Sequence, residues 1–270
     1  MSVIRRPAVA GQFYPGESQG LRRQVEAYLA GAASAPKNGG RPPKAIIAPH
    51  AGYVYSGPIA GTAYAYLAAA GPAVRRVILL GPSHWAHIPG LAASSAEGFA
   101  TPLGVVPIDR PAQDRVLALG QVRIADEAHV REHCLEVQLP FLQVIFDDFT
   151  VVPLAVGAAR PDQVAEVIEQ LWGGEETVIV ISSDLSHYQD YRTAVALDRA
   201  TSEAIEALRP LTEGQACGRQ AINGLLQLAR QRGLTAQTVD LRNSGDTAGP
   251  RDRVVGYGAY IFHEPAGLEA

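Results

Sequence analysis

The sequence predicts one α/β domain spanning residues 1–270, built on a mixed, mostly parallel β-sheet flanked by helices. Three observations carry this. Short apolar runs rich in Val, Ile and Leu recur between Gly, Pro and Ser punctuation, without the clean alternation of a half-exposed strand. They read as strands covered on both faces. Amphipathic stretches of helical period separate them, the order expected of a sheet sandwiched by helices. Finally, 47% hydrophobic and 19% charged residues are ample for one sizeable core, in a chain of 270 residues that α/β domains reach without splitting.

In chain order, residues 18–33 read as a helix, and 34–43 as a Pro/Gly-rich loop that precedes the first core strand rather than dividing two cores. A strand follows at 45–48, a helix at 59–70 and a strand at 77–80. Thr101-Pro102-Leu103-Gly104 breaks the pattern around 99–108 and suits an added hairpin. Helices are expected at 111–118 and 134–146, a strand at 150–156, a helix at 162–172 and a strand at 177–181. Helices at 191–208 and 217–232 and strands at 235–241 and 253–262 complete the chain.

Lys and Arg number 23 against 27 Asp and Glu, a formal charge of −4. There is no basic run, so no nucleic-acid partner is expected. No signal-peptide-like apolar segment opens the chain, and no run of roughly 18 apolar residues could span a bilayer. The two cysteines, Cys134 and Cys217, are too few for a disulfide framework. A cytoplasmic protein with no membrane partner is the expectation.

The informative feature is where histidines fall. The strand at 45–48 runs into Pro49-His50-Ala51-Gly52-Tyr53, and that at 77–80 into Gly81-Pro82-Ser83-His84. The strand at 177–181 runs into Ser182-Ser183-Asp184-Leu185-Ser186-His187. Ligands of open α/β sheets bind beyond the carboxyl ends of strands, so parallel neighbours would bring these loops to one cleft. Neutral imidazole is a common metal ligand and titrates near neutrality, which suits either coordination or proton transfer.

Asp184 and His187 are three apart, and one helical turn would set them on one face. Asp184 could orient an imidazole, bind a metal or cap a helix. His129 and His133 have i,i+4 spacing, but the H-E-x-x-H order is absent. Glu132 and Glu136 suit a helix head or a cleft wall, and His133 and Glu136 are candidates for the surroundings of the site. Cys217 begins a long amphipathic stretch, where a helix N-terminus would favour the thiolate; the alternative is a buried small apolar residue, which Cys134 fits better. No G-x-G-x-x-G after a strand, G-x-x-x-x-G-K-[ST] or G-x-S-x-G is present, so nucleotide-dependent phosphoryl transfer and α/β-hydrolase chemistry lack their usual signatures.

Several segments resemble the Memo-like family in order along nearly the whole chain. They are Arg6-Pro7-Ala8-Val9-Ala10-Gly11-Gln12-Phe13-Tyr14-Pro15, Ala48-Pro49-His50-Ala51-Gly52-Tyr53-Val54-Tyr55-Ser56-Gly57 and Leu80-Gly81-Pro82-Ser83-His84. Glu132-His133-Cys134-Leu135-Glu136-Val137-Gln138-Leu139-Pro140-Phe141, Ser182-Ser183-Asp184-Leu185-Ser186-His187-Tyr188, Cys217-Gly218-Arg219 and Val255-Gly256-Tyr257-Gly258-Ala259 continue the series. The likeness is to the bacterial branch, of the AmmeMemoRadiSam system protein B type. It implies a fold similar to class III extradiol dioxygenases, with His50, His84 and Cys217 where those enzymes hold iron by two His and one Glu. His187 would take the acid/base position, paired with Asp184. The resemblance further implies copper or iron as cofactor, no organic cofactor, a pathway link to a radical-SAM protein and, from the animal branch, recognition of phosphotyrosine peptides.

Replacing a carboxylate by a soft, oxidisable thiolate shifts metal preference toward copper(I), zinc or iron, so ring cleavage is not carried over to this chain. Three readings follow. The first is a metal-dependent redox enzyme using His50, His84 and Cys217, with His187 and Asp184 moving protons and Tyr53 or Tyr55 donating hydrogen bonds. The second is a non-catalytic module binding a peptide or small ligand in the same cleft. The third, weaker, is a zinc-dependent hydrolase.

Overall fold

The apolar runs at 45–48, 77–80, 150–156 and 177–181 become adjacent strands, and burial on both faces explains why none of them alternates. The structure, a computed structural model, describes residues 3–32 and 42–265. Its strands are β1 (Ile4–Arg5), β2 (Ala45–Ala48), β3 (Arg76–Pro82), β4 (Leu91–Ala93), β5 (Gly98–Thr101), β6 (Gly104–Pro107), β7 (Val122–Ile124), β8 (Thr150–Val156), β9 (Thr177–Ser182), β10 (His187–Gln189), β11 (Thr235–Asn243) and β12 (Val254–His263). The α-helices are α1 (Ser18–Ala30), α2 (Tyr53–Leu67), α3 (Arg110–Leu117), α4 (Leu139–Ile145), α5 (Pro161–Gln170), α6 (Tyr191–Glu206), α7 (Arg219–Arg232) and α8 (Ser244–Thr247). The expected loop at 34–43 lies outside the described residues except for Pro42 and Pro43.

Among the described residues the main sheet runs β10-β12-β2-β9-β3-β8-β4-β7, with β11 beside β12. Its centre is parallel: β2 pairs with β9, β9 with β3 and β3 with β8. Antiparallel β12 and β4 flank that centre, making the sheet mixed as expected. A smaller sheet, β1-β5-β6, contains the expected hairpin, and Gly104 (φ 127°) supplies its turn with a backbone angle that L side chains rarely adopt. The chain is thus a single α/β domain.

Successive residues of each central strand enter opposite cores. Val77 and Leu79 of β3 join Leu21, Val25, Ile59 and Phe141 on one face. Ile78 and Leu80 join Val164, Ile168, Leu225 and Leu226 on the other. The same division holds for Ile46 and Ala48 against Ala45 and Ile47 in β2, and for Val178 and Val180 against Ile179 and Ile181 in β9. Each fully buried Val, Leu or Ile contributes about 1.5–3 kcal/mol, so two-sided burial fixes the sheet firmly.

Several element limits differ from expectation. Helix α2 starts at Tyr53, six residues early, and accommodates Pro58 in its second turn. The stretch expected as one helix at 134–146 divides into a turn, a 3₁₀ turn at Glu136–Gln138 and the short α4. Helix α7 starts at Arg219, two residues beyond Cys217, and ends on Gly233 in the left-handed conformation. Strands β1, β4, β7 and β10 have only two or three residues, too few to generate a periodic signal. Among the described residues no helix is long and apolar enough to cross a membrane.

Helices α5 and α7 meet at Gly224, where an added Cβ would overlap the side chain of Val164 and come 3.2 Å from the Ala165 backbone nitrogen. Gly224→Leu is therefore expected to cost about 1–3 kcal/mol through overpacking. Calorimetry should record a melting temperature several degrees lower, and an unchanged value would mean that the helices can part without penalty.

Candidate metal centre

Strands β2, β9 and β3 lie side by side and end at one edge, and the loops beyond them converge. His50, two residues past β2, is buried; its backbone N–H donates to Asp184 Oδ1 at 2.7 Å, and its Nδ1 lies 2.9 Å from Ser182 Oγ at the end of β9. His84, two residues past β3, donates its backbone N–H to Glu132 Oε2 at 2.7 Å and its Nδ1–H to Oε1 at 2.9 Å. A carboxylate only accepts, so His84 keeps its Nε2 lone pair for a ligand role. Cys217 arrives from the other side of the molecule's sequence: its Sγ lies 3.3 Å from His50 Nε2 and accepts the Asp184 backbone N–H at 3.2 Å. Gly218 permits this approach, since a Cβ there would come 2.7 Å from Ser183 Cβ.

Each of His50, His84 and Cys217 offers one ligand atom, and these atoms lie within 4.8 Å of one another. Two imidazoles and one thiol form a borderline-to-soft donor set that fits a transition metal such as copper, iron or zinc. The protonation preferences are consistent with that use of the imidazoles. Burial, then His84 and His133, push His50 well below its ordinary value, so it is neutral at pH 7. Burial alone would raise Glu132, but its hydrogen bonds and charge interaction with His84, and the backbone donors, bring it down to about 2.

Cys217 corrects the sequence expectation. Burial and the neighbouring Asp184 push its thiol up to about 12, against the lowering expected of a helix N-terminus. The residue precedes α7 by two positions and is partly buried, and desolvation there outweighs the helix field. A bound cation would reverse that balance, because a coordinating thiol is deprotonated outright.

The remaining sequence candidates fall into distinct places. His133 stacks on His84, with ring centroids 4.9 Å apart, and meets His50 edge-on at 5.5 Å. His84, Glu132 and His133 also form a potential metal group. Glu132 also accepts the backbone N–H groups of His84, His133 and Cys134 and the His84 Nδ1–H, and through these bonds it orients the loop that carries His84. Asp184 is buried beside His50, and no helical turn joins it to His187. Instead His187 opens β10, and the next helix, α6, is capped by Asp190. His187 Nδ1–H donates to the Leu185 carbonyl at 2.9 Å, leaving Nε2 able to accept a proton.

Glu136 is drawn elsewhere. Its buried carboxylate pairs with Arg5 and accepts the N–H groups of Ala8 and Val9 and the Tyr14 hydroxyl. It ties the N-terminal motif to the core. Tyr53 is buried and its hydroxyl donates to the Val137 carbonyl at 2.7 Å, whereas Tyr55 is 38% exposed. His129 donates toward the Ala92 carbonyl and is not joined with His133 in a common helix. Ser182, which contacts His50, and Gln138, which bonds Ser182 and the Pro49 carbonyl, were not singled out in the sequence as partners of the site. Their position in otherwise apolar runs beside the histidine motifs was the available signal.

Glu132→Gln should lower metal affinity about 10–100-fold, the usual effect of losing an outer hydrogen-bond partner. It should also change acid stability. The folded value of Glu132 lies below its ordinary 4.5, so its stabilisation is present above that pH and lost as pH falls toward about 2. Melting curves of wild type and Glu132→Gln should therefore differ most near neutrality and converge in acid. A difference that is constant with pH would contradict the role given to this carboxylate.

Residues 5–261 match the family model described as Memo-like protein. A MEMO1 family protein of Saccharolobus solfataricus is 36% identical over 283 residues, covering 96% of this chain and 99% of its own. One from Metallosphaera sedula is 33% identical over 282 residues with the same coverage. The crystal structure of an uncharacterized protein from Escherichia coli K12 aligns with a TM-score of 0.53 and 14% identity, over 80% of this chain and 98% of that one, a likeness of fold alone. With the family model spanning both strand-end histidines and Cys217, this chain belongs to the Memo-like protein family.

Proposed function

We propose that the chain is a metal-dependent redox protein of the cytoplasm, holding copper or iron through His50, His84 and Cys217 and acting on a small-molecule substrate. The observation that carries the reading is the convergence of three ligand atoms within 4.8 Å, two of them on imidazoles whose Nδ1 faces a buried polar partner. When bound, such a metal supplies Lewis acidity and electron transfer at the cleft. His187 is the proton carrier, because its Nδ1–H is tied to Leu185 and its Nε2 is left to take or give a proton. Asp184 holds the His50 backbone and adds a buried negative charge next to the ligands. The likeness to class III extradiol dioxygenases, placement in the bacterial branch and a pathway shared with a radical-SAM protein belong to the same proposal. So does the absence of nucleic-acid and membrane partners.

A ligand-binding module is the second reading, favoured by exposed aromatic residues beside the site motifs. Trp85, next to His84, and Tyr188, next to His187, are more than half exposed, and Arg131 and Arg253 lie over their rings. Such surfaces suit a peptide or an aromatic small ligand.

Elemental analysis of protein purified without a metal-affinity tag separates these readings. Stoichiometric copper or iron, lost in His50→Ala and Cys217→Ser, is the expected result. No metal, together with tight peptide binding, would sink the redox reading, and stoichiometric zinc would favour hydrolysis. His187→Ala should keep its metal while turnover disappears; loss of metal in that variant would place His187 among the ligands instead.

A further inference from the structure

We infer that Ser182, set by Gln138 and by the Cys134 carbonyl, holds His50 in its Nδ1–H tautomer before any metal arrives, presenting the Nε2 lone pair to the ligand side. The inference deepens the metal-centre reading and rests on it for its purpose.

The tautomer follows from counting hydrogens in a buried network. The Pro49 carbonyl can only accept, so the Gln138 side-chain atom 3.0 Å from it is the amide nitrogen. Gln138 Oε1 then accepts the Tyr64 hydroxyl at 2.8 Å, which agrees with that orientation. The same amide nitrogen lies 2.8 Å from Ser182 Oγ and donates its second hydrogen there. Ser182 has one hydrogen of its own. The Cys134 carbonyl, 2.6 Å away, can only accept and takes it. No hydrogen is left on Ser182 for His50, so the 2.9 Å contact requires His50 Nδ1 to be the donor.

Tyr64, Gln138, Ser182 and His50 are each no more than 2% exposed, so the network is closed off from bulk solvent. The opposite tautomer would set the Nδ1 lone pair against a hydroxyl oxygen whose hydrogen is already committed, a buried acceptor–acceptor contact. It is the Nε2–H form, though, that an unconstrained neutral histidine prefers. The network thus overrides the intrinsic preference at the residue whose Nε2 faces Cys217. Ser182 acts as a positioning residue through this bond and Gln138 acts through Ser182. Glu132 does the same for His84 by simpler means, since a carboxylate has no hydrogen to offer.

The test is long-range proton–nitrogen correlation NMR on metal-free protein labelled with 15N-histidine, which distinguishes a protonated ring nitrogen from a bare one. His50 should show Nδ1 protonated and Nε2 bare, and Nε2 protonated would overturn the inference. Ser182→Ala should move His50 toward the Nε2–H form and weaken cobalt(II) binding about 10–100-fold. Cys217→Ser should leave the tautomer as in wild type; a change there would show that the sulfur, not Ser182, sets it. Should Ser182→Ala fail to fold, the wild-type spectrum still decides. Failure of wild-type protein to bind cobalt(II), with the expected tautomer in place, would count against the metal reading and leave the tautomer assignment standing.

Discussion

A carboxylate taken out of water must be met by donors, and two such groups four residues apart organise the region around the candidate centre. Glu132 gathers the backbone and ring N–H of His84 and the backbone N–H groups of His133 and Cys134. Glu136 gathers Arg5, Ala8, Val9 and Tyr14. An uncompensated buried charge would cost several kcal/mol, so neither set of donors can drift away freely. One connecting turn thereby fastens the loop after β3 and the N-terminal segment to the same place.

The legible parts of the fold were those written by two-sided burial. Residues 45–48, 77–80, 150–156 and 177–181 carry no polar face, and Pro49 and Gly157 marked the ends of β2 and β8, whereas β3 continues through Gly81 and Pro82 and β9 through Ser182. His50, His84 and His187 were visible as candidates because their meaning depends on strand ends. Their grouping needed β2, β9 and β3 to be parallel neighbours, which the structure shows. Short strands such as β10 escaped notice because His187–Gln189 has neither length nor periodicity.

The hydrogen-bond partners were not legible, for a different reason. Ser182 meets His50 across 132 positions of chain, and Glu132 meets His84 across 48. Local propensity offers several roles for a Ser or a Glu, and only the tertiary register chooses among them. Asp184 shows the same ambiguity. A helix cap was a reasonable local reading, yet Asp190 caps α6 and Asp184 turns to the His50 backbone instead.

Cys217 shows how context can reverse the sign of an effect. Proximity to a helix start suggested an acidic thiol, but burial and Asp184 oppose the charge more strongly than the helix supports it. The thiol is consequently a poor anion on its own and becomes a good ligand only when a cation compensates it. Such a site discriminates by how much a metal gains from sulfur. Hard, oxygen-seeking ions such as magnesium and calcium gain little, whereas copper(I), zinc and iron gain much. The two imidazoles are already held by outer partners, so the sulfur is the donor whose commitment depends most on the metal itself. The desolvation that disfavours a free Cys217 thiolate is therefore the same property that would make the centre selective.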